Sequence, residues 1–232
     1  MLLQKTWIHK NSNVNLEIKG FNCEHLFGNK STNMRRGRYS GGLSLYFKKH
    51  LRSFITVVEK IQSGLMIIRL SKELFHFNEN VFMLSVYIPP SGSNFFNRGD
   101  DEPFEQLELC IEKYKPLGKL FILGDMNART HDLNDYFDGC CTEDTAHRSA
   151  PVDNVVDRAN QDHVTDTHGR RLISLCIETG LCIGNGRLKN DTEGKVTYYS
   201  RNGASLIDYL LLSKNDFKHI KEFDVNFQII AD

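Results

Sequence analysis

Lys119-Leu120-Phe121-Ile122-Leu123-Gly124-Asp125-Met126-Asn127-Ala128-Arg129 is an apolar run that ends abruptly in a glycine and two polar residues. An apolar run of this length, closed by a turn residue, reads as a buried strand over Lys119–Leu123. Gly124 lets the backbone turn sharply, which sets the Asp125 carboxylate and the Asn127 carboxamide side by side at a sheet edge. A carboxylate so placed can hold a hard cation or take a proton from water. A carboxamide can hydrogen-bond a phosphate oxygen or orient a nucleophile. An aspartate after a strand is as often a turn former or a helix cap, so the stretch gains its meaning from what accompanies it.

Two further segments accompany it. Lys195-Val196-Thr197-Tyr198-Tyr199-Ser200 and Ser205-Leu206-Ile207-Asp208-Tyr209-Leu210-Leu211-Leu212-Ser213 flank an Asn202-Gly203 step, the pattern of a β-hairpin. The pattern puts Asp208 inside an otherwise apolar strand, where a carboxylate is costly unless paired, hydrogen-bonded or near a metal. Val81-Phe82-Met83-Leu84-Ser85-Val86-Tyr87-Ile88-Pro89-Pro90 is a strand closed by two prolines. They stop the sheet and fix the direction in which the Tyr87 hydroxyl leaves it.

Outward from these segments, Leu2–Trp7, Gly42–Phe47, Phe54–Glu59, Gly64–Leu70 and Val81–Ile88 read as strands rich in β-branched and aromatic residues. Glu102–Tyr114 has helical spacing, with Phe104, Leu107, Cys110 and Ile111 on one stripe before Pro116. Residues 130–167 form a long, polar, aperiodic stretch, and loops of that length are usually functional. Gly169–Thr179 is a second helix, with Asp166 placed to cap it and Gly180 to end it. Leu181–Ile183, Lys195–Tyr199, Ser205–Leu212 and Phe223–Ile230 read as strands, with a short helix from Lys214. A meander of strands followed by alternating strands and helices points to an α/β protein with mixed sheets.

The 232 residues fit one large domain, 1–232, with a substantial core. Lys+Arg and Asp+Glu are each 29, a balance that argues against tight nonspecific nucleic-acid binding but allows local patches. Met34-Arg35-Arg36-Gly37-Arg38 and Arg170-Arg171 are candidate patches. The six cysteines, Cys23, Cys110, Cys140, Cys141, Cys176 and Cys182, lack zinc-site spacing. With no signal peptide they read as reduced thiols of an intracellular protein, nuclear or cytoplasmic rather than secreted. No apolar stretch approaches membrane-spanning length.

In this order and wording the segments resemble the endonuclease/exonuclease/phosphatase superfamily. More narrowly, they are similar to the endonuclease domain of non-LTR retrotransposons and the free-standing invertebrate proteins derived from it. The resemblance begins at Leu2-Leu3-Gln4 and continues through Arg35-Arg36-Gly37-Arg38-Tyr39-Ser40-Gly41-Gly42-Leu43, Tyr87-Ile88-Pro89-Pro90 and Gly124-Asp125-Met126-Asn127. It reaches Asn185-Gly186-Arg187, Thr197-Tyr198 and Ser205-Leu206-Ile207-Asp208-Tyr209. It implies two mixed β-sheets packed face to face and flanked by helices, a four-layer sandwich. It also implies phosphoester hydrolysis on DNA using Mg²⁺, with Mn²⁺ as the alternative ion; a monomer is expected. By the resemblance, Asp125 is the metal-proximal or water-activating carboxylate and Asn127 orients the phosphate or nucleophile. Tyr87 donates to a phosphate oxygen or the attacking water, and Asp208 orients a histidine. Thr197, Arg36 and Asn185 lie near the substrate, and Asp125 and Asp232 are the metal ligands.

Two departures from the family pattern matter. Where the family has Leu-Gln-Glu-Thr-Trp, with the glutamate as the principal metal ligand, this chain has Leu3-Gln4-Lys5-Thr6-Trp7. An ammonium in place of a carboxylate about 4 Å from a dication exchanges attraction for repulsion, each on the order of 8 kcal/mol at an effective dielectric near 20. Mg²⁺ is therefore expected to bind weakly if at all, and the Lys5 ammonium to pair with Asp125 where the ion belongs. The family also ends on Ser-Asp-His, whereas this chain stops at Ala231-Asp232. Both ends accordingly read as clipped relative to the family, and the histidine that Asp208 would orient is missing. His131, six residues after Asp125, is the nearest histidine in sequence, and a loop histidine is more often solvated than catalytic.

Three functions follow as expectations. The first is a metal-dependent DNA endonuclease whose activity is impaired in this copy. The second is a non-catalytic remnant of the fold that binds nucleic acid or a protein. The third is an enzyme for small phosphoesters, which the wording around Arg36–Gly42 and Asn185–Arg187 disfavours.

Overall fold

A computed structural model describes residues 1–10, 16–30, 39–93, 102–136, 157–201 and 203–226. By its contacts the chain forms two compact units, Met1–Asn127 and Ala128–Asp232.

The first unit contains β1 (Leu2–Gln4), β2 (Phe21–Leu26), β3 (Asn29–Lys30), β4 (Tyr39–Ser40), β5 (Leu43–Lys48), β6 (Ile55–Ile61), β7 (Leu65–Leu70) and β8 (Val81–Tyr87), then α1 (Pro103–Tyr114) and β9 (Lys119–Asp125). β1 and β2 each pair antiparallel with β5, and β3 pairs with β4. β6, β7 and β8 form an antiparallel meander, and β9 adds parallel to β8. That parallel step needs a crossover, which α1 provides. Glu102 caps α1, accepting from the Glu105 amide, and Pro103 opens its first turn.

Side chains alternate faces along each strand, and the alternation builds the core. Leu43, Leu45 and Phe47 of β5 meet Ile55 of β6, Met66 and Ile68 of β7, and Tyr87 of β8 in one buried cluster. Two sheets of this unit therefore pack face to face. On the other face of β8, the Phe82 ring lies 5.3 Å from the Tyr114 ring of α1. The Tyr114 hydroxyl and the Lys113 ammonium both donate to Glu59 of β6, at 2.6 and 2.8 Å. β7 is buried on both faces from Leu65 to Ile68, and each such side chain contributes about 1.5–3 kcal/mol.

The second unit contains α2 (Thr167–Thr179), β10 (Leu181–Ile183), β11 (Tyr198–Ser200), β12 (Gly203–Ser205) and β13 (Asp208–Ser213). Asp166 caps α2, its carboxylate accepting from the Gly169 amide at 2.6 Å. Gly180 ends the helix in the left-handed region at φ +64, where a glycine is needed. β10 pairs antiparallel with β13, and β11 with β12.

Several expectations are corrected. The first strand stops at Gln4 rather than Trp7, because Lys5 and Trp7 turn into the left-handed region at φ +52 and +51. The run Ser205–Leu212 is two strands broken at Leu206-Ile207, so Asp208 begins β13, half-buried, instead of lying inside a strand. β2 was not foreseen, and 223–226 carry no strand. Residues 227–230, Arg36, Cys140, Cys141 and Asp232 lie outside the described residues.

Candidate active site

In the first unit the parallel register sets Tyr87 opposite Asp125 at the ends of β8 and β9. The sheet continues for one more bond, the Ile88 amide donating to the Asp125 carbonyl at 2.8 Å. Gly124 is at φ +153, and a Cβ there would lie 1.9 Å from the Val86 carbonyl oxygen and 2.5 Å from Gln4 Nε2. Only glycine allows that approach.

Into the gap comes the side chain of Gln4. Its Oε1 accepts from the Asp125 amide at 2.9 Å, and its Nε2 donates to the Val86 carbonyl at 3.0 Å. One carboxamide thus ties the end of β1 to the ends of β8 and β9. Sequence reading assigned Gln4 no role. Its place in the Leu3-Gln4-Lys5-Thr6-Trp7 run was the available signal. Replacing Gln4 by alanine should cost about 1–3 kcal/mol, the range for orphaning a buried backbone donor and acceptor. Urea unfolding measures the loss, and amide hydrogen exchange should show faster exchange at Asp125. Unchanged protection of the Asp125 amide would refute the clamp.

Asp125 is 2 % exposed. One of its carboxylate oxygens accepts from the Asn127 backbone amide at 2.9 Å, which turns the chain to φ +43 at Asn127. The Asn127 side chain donates to the Ile88 carbonyl at 2.7 Å. The other carboxylate oxygen of Asp125 meets the Lys5 ammonium in an ion pair. Burial pushes the Asp125 carboxyl above its ordinary value, while Lys5 and the Asn127 amide pull it back. The ammonium also lies 5.7 Å from the centre of the Tyr87 ring. Burial raises the Tyr87 hydroxyl, and Lys5 partly offsets the rise. Gly41 leaves room for that ring, since a Cβ there would stand 3.2 Å from it.

In the second unit Asp208 is held by its backbone. Its amide donates to Thr197 Oγ1 at 3.1 Å, beside the Ile207 amide at 3.0 Å. Its carbonyl accepts from the Asn185 side chain at 3.2 Å, and Asn185 Oδ1 accepts from the Leu210 amide at 3.0 Å. Asn185 is wholly buried, so both ends of its amide serve the β13 backbone.

Asp162 is a buried hub. It takes two bonds from Arg129, at 2.8 and 2.5 Å, and accepts from the Val164 and Leu206 amides. His131 lies in the left-handed region at φ +44, bonded to Asp132 at 2.8 Å and edge-on to His163 at 5.6 Å. Among the described residues no group of three or more His, Cys, Asp or Glu is arranged to hold a metal ion. Among the same residues no helix is long and apolar enough to cross a membrane.

A family model described as endonuclease-reverse transcriptase matches residues 81–232. No curated protein matches the chain. Among solved structures, it is similar to the 3′-5′ exonuclease NExo from Neisseria meningitidis, at 15% identity and a TM-score of 0.57, covering 95% of this chain and 78% of that one. It is also similar to the 3′ phosphatase NExo from Neisseria bound to product DNA hairpin, at 13% identity and a TM-score of 0.54, covering 94% and 77% of the two chains. The human Nocturnin catalytic domain with bound sulfate matches at 11% identity and a TM-score of 0.50, covering 92% and 68%. At these identities the likeness speaks for the fold, an α/β sandwich of mixed sheets with flanking helices.

Proposed function

The chain belongs to the endonuclease-reverse transcriptase family, within the endonuclease/exonuclease/phosphatase superfamily, and from that premise we propose a DNA-directed phosphodiester hydrolase whose catalytic step is impaired in this chain. Family members are hydrolases of phosphodiester bonds and generally use divalent metals. The residues present do not fit such an ion. An ammonium already neutralises Asp125 from the position where the family places its principal carboxylate ligand, so a dication there would be repelled at close range. That ion pair is the observation that carries the reading.

The roles are those the resemblance implies, and the local geometry supports them. Asp125 is the buried carboxylate of the reacting centre, Asn127 orients the phosphate or nucleophile, and the Tyr87 hydroxyl donates to a phosphate oxygen. Asp208 supplies the orienting carboxylate. Thr197 and Asn185 act through Asp208, because their polar atoms hold its strand. Arg36 and Asp232 keep the substrate-binding and metal-ligand roles that the resemblance implies. The shared motifs support a place nearest the endonuclease domains of non-LTR retrotransposons. A DNA substrate and the free thiols of Cys23, Cys110, Cys176 and Cys182 support an intracellular site of action.

Nicking of supercoiled plasmid tests this, run beside an electrophoretic shift in EDTA. A shift with little Mg²⁺-dependent nicking is the expected result. Rapid nicking abolished by Asp125→Ala would overturn the impairment, and no shift under any condition would overturn DNA as the partner. The same ion pair favours a second reading, a binding protein on this fold that performs no hydrolysis.

A further inference from the structure

From the Lys5–Asp125 pair we infer that the site binds a phosphate ester anion without any divalent cation, with the Lys5 ammonium as its anchor. The inference rests on the reading that the chain handles phosphoesters, and it names what the altered site retains. The two partners differ in access. Asp125 is 2 % exposed on its side chain and Lys5 35 %, so an anion arriving from solvent meets the ammonium and not the carboxylate. An ammonium's three N–H bonds point apart, so one lysine can bridge a carboxylate oxygen and a phosphate oxygen. It then joins protein and phosphate as a dication would, with one charge instead of two.

The backbone fixes the position from which the Lys5 side chain reaches Asp125. Lys5 sits at φ +52, a region that costs a non-glycine residue roughly 1–2 kcal/mol. The Thr6 amide donates to Gly42 at 3.2 Å and the Trp7 amide to Gly41 at 3.0 Å, which fixes the turn that aims Lys5 at β9. Gln4 anchors the preceding residue to Asp125 itself. Strained residues held by their surroundings gather at functional sites.

Binding is measured in EDTA with three probes: inorganic phosphate, a single-stranded DNA oligonucleotide with internal diesters only, and the same oligonucleotide carrying a 3′-phosphate. The expected result is equal affinity in EDTA and in Mg²⁺. Lys5→Met should weaken binding about tenfold or more, as for a lost charge-assisted hydrogen bond. It should also lower the salt slope for DNA by about one counterion, and Lys5→Arg should retain most of the affinity. Because Lys5→Met leaves a buried carboxylate unpaired, the paired variant Lys5→Met with Asp125→Asn repeats the test in a neutral site. Equal binding by wild type and both methionine variants overturns the inference, as does binding that requires Mg²⁺. Phosphate held through Lys5 with no affinity for either oligonucleotide supports the anchor and counts against DNA as substrate, so the two readings fail separately.

Discussion

Lys5→Glu should raise the affinity of this site for Mg²⁺ or Mn²⁺ by at least about a hundredfold. A unit charge about 4 Å from a dication contributes roughly 2 kcal/mol even at the dielectric of water, and reversing its sign doubles the swing to about 4 kcal/mol. Lys5 is partly exposed on a flexible stem and can swing aside, which lowers the repulsion in the unaltered chain. The hundredfold figure therefore lies below the roughly thousandfold that 4 kcal/mol represents. Lys5→Met should fall between, since it removes the repulsion without adding a ligand. Calorimetric titration of the three proteins orders them, and an unchanged affinity in Lys5→Glu would mean that Lys5 does not control the site. Nicking by Lys5→Glu need not rise in proportion, because groups acting on one transition state do not contribute independently.

The largest stability effect is expected at Arg187. Its side chain is 4 % exposed and that of its partner Asp135 is fully buried. Two parallel bonds at 2.7 and 2.8 Å join them, and Arg187 also donates to the Ile183 carbonyl at 2.9 Å. Asp135 accepts in addition from the Ile183 amide at 2.6 Å, so the pair fastens β10 to the residues after Thr130. Removing one member of a buried pair strands the other, at a cost of about 3–5 kcal/mol. For a chain of this length that lowers the melting temperature by roughly 6–20 °C. Arg187→Met should show this loss in thermal unfolding, and adding Asp135→Asn should restore part of it. A loss below about 1 kcal/mol would mean that the carboxylate finds water or another partner.

The frame of the fold was legible where periodicity was strong. β7, β8, β9 and both helices follow from apolar runs or stripes, and the Asp166 cap follows from its place before the helix. β2 escaped because Phe-Asn-Cys-Glu-His-Leu carries only one fully buried side chain, Leu26, so its alternation is weak. The break before Asp208 escaped because Leu206 and Ile207 are as apolar as the strands they separate. Thr197 stops the ladder there by taking two backbone amides on its hydroxyl. Lys5 could be read as an odd residue in a familiar motif, and its pairing with Asp125 was foreseen. Gln4 and Asp162 could not be read so. Their roles lie in bonds to backbone 121 and 44 residues away, and nothing local in the sequence records such a partner.

Paramagnetic broadening by Mn²⁺ tests most directly whether the Lys5 ammonium stands where a divalent cation would. The backbone amide signals of Asp125 and Asn127 are followed by NMR as Mn²⁺ is added to the unaltered chain and to Lys5→Glu. With Lys5 in place the two signals should persist at Mn²⁺ concentrations that erase them in Lys5→Glu. Broadening of both signals in the unaltered chain at the concentration that broadens them in Lys5→Glu would show that the cation shares the site with Lys5 and would contradict the account.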